Sequence, residues 1–259
     1  MSRLSIGYPL AEHASGGGGR YRNTRLARQA ERDAYLSSLH LGWYQVVLIF
    51  TMWSVAGLFI EEAWVLLTMG VSQGRPGLVW GPFSPLYGVG AVLLTALSLF
   101  LHRREASTAM LFVTSMVVGG LLEQVTGWGL ETFVGAVSWD YVAGGIWGAI
   151  SRWVSIPFLL FWGCLGCLWG RIVMPELLYG IGEPTSAFKV AIVGLLGAFL
   201  AADIVMTLAC FDRVVERQQN VPPANALEQY VDREFDDQFV AERFKNMQID
   251  GVNDHPFGR

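Results

Sequence analysis

Five stretches of this chain are apolar enough to enter a bilayer, and a bilayer leaves a polypeptide few choices. Backbone polar groups surrounded by lipid must bond within the protein, so only helices and closed barrels span. The stretches cover residues 41–69, 86–101, 109–133, 154–174 and 187–211. A hydrocarbon core of about 30 Å takes roughly 20 helical residues, which fits helices rather than the shorter strands of a barrel. Of 259 residues, 53% are hydrophobic and only 15% charged, against about 25% charged in soluble domains. The expected fold class is therefore all-α: a polytopic membrane helix bundle of about five transmembrane helices. Glu61 and Glu62 end the first stretch, whose last turns are expected to tilt or lie in the interface. The second is short unless Pro85 opens it, a helix position that proline tolerates well.

The polar ends differ in sign. Residues 1–39 form a basic head without the apolar stretch of a secretory leader, carrying Arg3, Arg20, Arg22, Arg25, Arg28 and Arg32. Residues 212–259 form an acidic tail in which Asp232, Glu234, Asp236 and Asp237 cluster, so the net charge of −4 conceals an asymmetry. Three regions are expected: the head (1–39), a transmembrane bundle (40–211) and the tail (212–259). Arg103, Arg104, Arg171 and Lys189 fall on the head's side of the spans, whereas the opposite connections offer Arg75, with Arg152 at a helix entrance. The positive-inside rule then places the amino terminus in the cytoplasm, the protein multi-pass in the cell membrane, and the carboxyl terminus outside. A basic head of this kind marks a cytoplasmic face and implies no nucleic-acid partner. In the tail, Pro222 and Pro223 precede an Asn225–Glu228 capping box. An apolar stripe of Leu227, Val231, Phe235, Val240, Phe244 and Met247 follows, predicting an amphipathic helix. It either packs on the protein's own loops or lies on a membrane or partner.

Charge is scarce in such a chain, and where it falls is informative. A deep ionisable side chain costs from about 2.5 kcal/mol upward, so such groups face a bundle interior and find partners. Glu61, Glu62, Glu123, Glu131, Asp203 and Arg152 lie in or beside the apolar stretches, and Asp140 lies in a connection. Glu123 and Glu131, eight residues apart, project within roughly 80° of each other on one helix. Glu61, Glu123, Glu131, Asp140 and Arg152 are expected to converge on a shared polar chamber that serves as a substrate or ion path, with Tyr87, Trp139 and Tyr141 beside it. Buried carboxylates without partners take up protons, which makes proton or cation handling plausible. The competing structural reading has one acid paired with Arg152 and the others fixing helix packing.

No phosphate-binding loop or hydrolase motif occurs, so the chain carries no ATPase of its own and is not marked as an enzyme. Carboxylate pairs such as Glu123 with Asp140, or Glu131 with Asp140, leave intramembrane acid–base chemistry open. The C-x-x-C of "WGCLGCLWG" (Cys164, Cys167) lies in an apolar span without a second ligand pair, so no metal or cofactor is expected. Its glycines instead permit close helix approach.

The stretch "GPFSPLYG" interrupts the apolar pattern between the first two spans. Pro82 and Pro85 prevent helix continuation, while Gly81 and Gly88 allow close approach. It is read as a Gly/Pro-rich structural turn that dips toward the bundle, with a plain extracellular turn as the alternative. These residues resemble the bacterial membrane proteins labelled ABC transporter permeases, the ABC-transporter type IV or CmpB-like family, over residues 55–177. "GLFIE" matches that family's first-helix glycine–glutamate motif at Glu61, and "GPFSPLYG" its G-P-x-C-P-I-Y-G signature, with Ser84 replacing cysteine. "LLEQVTGWGLE", "WDY" and "SIPFLLFWG" followed by Pro175 continue it in order. Pro76 stands between Arg75 and Gly77 where the family has arginine directly before glycine. The resemblance implies a permease subunit of unknown substrate, served by an ATPase subunit in trans that docks at Arg103 and Arg104 or around 175–184. It carries over no catalytic or binding residues. A non-catalytic membrane scaffold and assembly with further copies of the chain stay open.

Overall fold

The structure, a computed structural model, describes residues 17–70 and 77–253. Arg3 and Arg75 lie outside the described residues. The chain divides into two compact units, Met1–Leu39 and His40–Arg259. In the first, α1 (Gly17–Ser38) is a polar helix. The Ser37 and Ser38 hydroxyls close its last turn on the Ala34 and Tyr35 carbonyls, at 2.7 and 3.0 Å.

The second unit contains five helical segments long and apolar enough to cross a membrane: Trp43–Thr68, Pro85–Arg103, Thr108–Val134, Ile156–Ile181 and Ala187–Gln218. They comprise α2 (Trp43–Met69), α3 (Pro85–Arg103), α4 (Thr108–Gly129), α5 (Ile156–Leu168), α6 (Met174–Ile181) and α7 (Ala187–Gln218). A π-helical turn, Leu130–Val134, extends α4, and another, Trp169–Val173, joins α5 to α6. Pro85 sits in the first turn of α3, where its missing N–H removes nothing from the helix. Ser107 and Ser186 cap α4 and α7 by accepting from the backbone N–H groups of Met110 and Lys189.

Small residues set the closest helix approaches. A β-carbon on Gly166 of α5 would lie 1.9 Å from the Ser115 Oγ of α4, and one on Gly119 of α4 would lie 2.1 Å from the Trp162 ring of α5. In lipid, where apolar surface gains nothing by leaving water, such backbone-close packing is what holds helices together. The same device brings α2 to α3, where Gly57 faces the Tyr87 ring and Gly88 faces the Phe50 ring.

The bundle has two distinct ends. At one, Gln45 donates to the Gly182 carbonyl at 3.0 Å, and Arg171 donates to the Ala106 carbonyl and the Thr108 hydroxyl at 2.9 and 3.2 Å. At the other, the 77–84 and 135–155 connections meet the tail. The short strands β1 (Ala136–Val137) and β2 (Gln248–Ile249) pair there, antiparallel. The tail stripe is carried by two helices, α8 (Ala226–Glu234) and α9 (Asp237–Arg243), because Asp236 starts a new helix by accepting from the Phe239 N–H at 2.8 Å. Val231, Phe235, Val240, Phe244 and Ile249 form a buried core with Val79 and with Cys210, Phe211 and Val214 of α7. A helix of 32 residues is about 48 Å long, well beyond a hydrocarbon core of about 30 Å, so α7 emerges from lipid to meet the tail.

Candidate functional site

Seven non-contiguous parts of the chain enclose a cavity of about 460 Å³ at the tail end of the bundle. Leu58 and Glu61 of α2, the loop and first turn around Gly77–Tyr87, Glu123 and Thr126 of α4, and Ser138, Trp139 and Tyr141 contribute to it. Phe158 and Trp162 of α5, Thr207 and Phe211 of α7, and the tail residues Phe244, Asn246 and Met247 complete it. Its walls are apolar and aromatic with a few polar groups, and its size lies in the range of about 300–1,000 Å³ usual for small-molecule sites.

Glu123 is the acid most deeply placed in it, with 6% of its surface exposed. Its Oε1 accepts from the Trp162 indole N–H at 3.1 Å and from the Tyr141 hydroxyl at 3.3 Å. Its Oε2 is buried and has no hydrogen-bond partner among the described residues. The indole reaches Glu123 because Gly90 and Gly119 leave room for the Trp162 ring between α3 and α4. Phe158, one helical turn before Trp162, stacks on the Tyr141 ring at 4.7 Å and so fixes the second donor.

The other predicted residues sort into two groups. Glu61, Tyr87, Trp139 and Tyr141 line the cavity with Glu123. Glu131, Asp140 and Arg152 do not line it and instead bind one another. Arg152 donates to Asp140 at 2.7 Å through Nε and to Glu131 through Nη1. Asp140 also accepts the Val142 and Ala143 backbone N–H groups, each at 2.9 Å. Burial alone would raise the Asp140 pKa, but the Ala143 N–H and the Arg152 guanidinium outweigh it and hold it below the ordinary aspartate range. The triad is coupled to the cavity wall through the backbone: the Tyr141 N–H donates to the Arg152 carbonyl at 2.7 Å, and the Trp139 indole to the Trp153 carbonyl at 3.1 Å. Glu123 and Glu131 thus meet different partners although they share one span, Glu131 lying in the π-helical turn that begins at Leu130.

The Gly/Pro turn is held from two sides. Asp203 of α7, fully buried, accepts the Trp80 N–H at 3.0 Å, and Thr207, one turn on, accepts the Val79 N–H at 3.0 Å. From the tail, Arg243 donates to the carbonyls of Leu78 and Gly81. Burial pushes the Arg243 pKa down, opposed by the nearby Asp203 carboxylate. Non-helical backbone at the bundle end is thereby satisfied, as irregular chain near lipid requires. Gly77 is obligatory in this loop, since a β-carbon would sit 2.1 Å from the Phe83 amide nitrogen. Gly81 and Pro82 belong to the loop itself, whereas Pro85 and Gly88 belong to α3.

In the sequence Asp203 stands out only as an intramembrane acid, and Trp162, Thr207 and Arg243 do not stand out as site residues. An Asp–Thr pair four residues apart, on one helix face, was a readable signal. Arg243 had none, because its partner Leu78 lies 165 residues away.

No curated protein and no solved structure matches the chain. The family model described as "Putative ABC-transporter type IV" matches residues 48–208, taking in three of the spans whole and most of α2, which begins at Trp43, and α7, which ends at Gln218. A match over more than half of the sequence, on a bundle of five candidate spans, makes the chain a member of the ABC-transporter type IV (CmpB-like) family of multi-pass membrane proteins.

Proposed function

We propose that the chain is a permease-type subunit whose cavity admits a small molecule from the outer side of the cell membrane, with an ATPase subunit acting in trans at the opposite end. The observation that carries this reading is the cavity itself: an aromatic hollow with a buried, half-satisfied carboxylate in a bundle of membrane-spanning helices. The end of the bundle away from the cavity bears Arg103, Arg104 and Arg171. By the positive-inside rule that end, together with the basic head, is cytoplasmic, and an ATPase would dock there. The cavity, the 77–84 loop and the tail are then extracytoplasmic. Gly81, Pro82, Pro85 and Gly88 shape the cavity mouth, Glu61 and Glu123 act inside it, and Glu131, Asp140 and Arg152 brace the wall that presents Trp139 and Tyr141.

An intramembrane enzyme built on carboxylate pairs draws less support. Asp140 spends both oxygens on Arg152 and two backbone N–H groups, and Glu123 bonds Tyr141 and Trp162 instead. Tagged protein purified from its native membrane should bring down a nucleotide-binding subunit, and vesicles carrying the pair should show ATP-dependent flux that Glu123→Gln removes. Purification without any ATPase, or flux unchanged in the variant, would refute the permease reading.

A further inference from the structure

We infer that the cavity takes a small organic monocation: an ammonium or methylated ammonium group on an apolar body, with the Glu123 carboxylate as its ion partner and aromatic rings as its walls. The inference rests on the permease reading for its physiological setting, but the binding site is defined by the geometry alone.

Three observations select this class. First, Glu123 has one oxygen held by two neutral donors and the other buried in the cavity without a partner among the described residues. A buried carboxylate oxygen left without a partner is costly, so the complementary ligand brings a positive charge to it, with or without an N–H donor. Second, no lysine, arginine or histidine is among the described residues lining the cavity, while Glu61 and Glu123 both are. The nearby guanidiniums among the described residues are engaged elsewhere, Arg152 on Glu131 and Asp140, Arg243 on the carbonyls of Leu78 and Gly81. An anionic ligand would meet two carboxylates and, among the described lining residues, no cationic side chain to offset them. Third, the remaining walls include the rings of Trp139, Tyr141, Phe158 and Trp162. Ring faces attract cations as well as apolar groups, and most strongly where water is excluded. A bare metal ion fits this lining poorly, because hard cations collect six or more oxygens around several carboxylates, and among the described residues no three acidic, histidine or cysteine side chains gather to hold one.

Substituting Glu123 by glutamine tests the ion partner with little damage to the fold, since the amide oxygen accepts from Trp162 and Tyr141 as the carboxylate does. The probes are phenethylammonium, its N-trimethyl derivative, neutral phenethyl alcohol and anionic 3-phenylpropionate, titrated calorimetrically into the full-length protein in nanodiscs. Both cations should bind at least about tenfold more tightly than the alcohol, the size of one charge-assisted interaction, with the acid weakest. Glu123→Gln should remove that preference, and Glu183→Gln, at the opposite end of the bundle, should leave it intact. Equal binding of alcohol and cation, preference for the acid, no binding by any probe, or an undiminished cation preference in folded Glu123→Gln protein would each overturn the proposal. The comparison among ligands on unaltered protein keeps it testable if the variant does not fold. Cation binding without ATP-dependent flux would sink the permease reading and leave the site, and flux without cation binding would do the reverse.

Discussion

Two buried charges in this molecule are handled in opposite ways. Arg213, on the emergent end of α7 and 1% exposed, is surrounded by acids. Asp232 of α8 takes its guanidinium with both oxygens at 3.0 and 2.7 Å, Glu216 accepts a further bond, Glu228 stands at 3.7 Å, and the Val221 carbonyl completes the set. Glu123, almost as deeply buried, has no cation beside it among the described residues of the cavity lining, and among them one of its oxygens has no hydrogen-bond partner. The first arrangement is closed: every group has what it needs, and the product is a tail anchored to a helix. The second is open on the side that faces the hollow. A fully paired buried charge fixes structure, and a half-paired one facing a cavity is where a ligand gains by binding.

The sharpest way to break the contrast is to open the closed site. Arg213→Met should cost about 3–5 kcal/mol, because it strands carboxylates that were placed to meet a cation. Thermal inactivation in detergent should shift accordingly, and protease should cut the 219–225 connection sooner. Unchanged stability would show that the acids around Arg213 are solvated rather than structural. Acid should produce the same release more gently. Hydrogen bonding from Arg213 holds the Asp232 pKa below its ordinary value, despite burial acting the other way. Its stabilisation is therefore complete above the unfolded aspartate value of about 3.9 and is lost only as pH falls through the lowered folded value. Protease sensitivity of the connection should stay flat down to about pH 4 and rise below it.

Next in size is a change to the support of the open site. Gly119→Val should force the Trp162 ring out of its seat, since even a β-carbon would approach it to 2.1 Å. Overpacking of this kind costs about 1–3 kcal/mol, and it should also take the indole from Glu123, visible as a changed tryptophan emission. Retained stability and emission would mean that the helices separate without disturbing the acid. The smallest effect is expected at Arg152, whose side chain is 42% exposed. Arg152→Gln should cost less than about 1 kcal/mol and lose even that at high salt. A larger, salt-resistant loss would place the triad with the closed site rather than at a solvated rim.

The bundle was legible from composition because the bilayer asks only for length and apolarity, and the 109–133 and 187–211 stretches meet both without ambiguity. The proline at the start of α3 and the Asn225 cap of α8 were readable because each acts within a few residues. The site was legible only by type. An acid at position 123 in an apolar run demands an explanation, but nothing in the local pattern says that its donors are an indole 39 residues on and a phenol 18 residues on. The same limit applied to Glu131, which looks equivalent to Glu123 by helical angle yet is paired with Arg152 rather than turned into the cavity.

What the sequence determined by itself, then, is the solvent: too many apolar residues in runs too long for water, with acids rare enough among them to be noticed. Which acid meets a cation and which faces a hollow was decided by tertiary structure. Helix periodicity sets direction around one axis, whereas pairing depends on how several axes pack. Here that packing rests on glycines facing aromatic rings and on a tail that folds back over the 77–84 loop through Arg243.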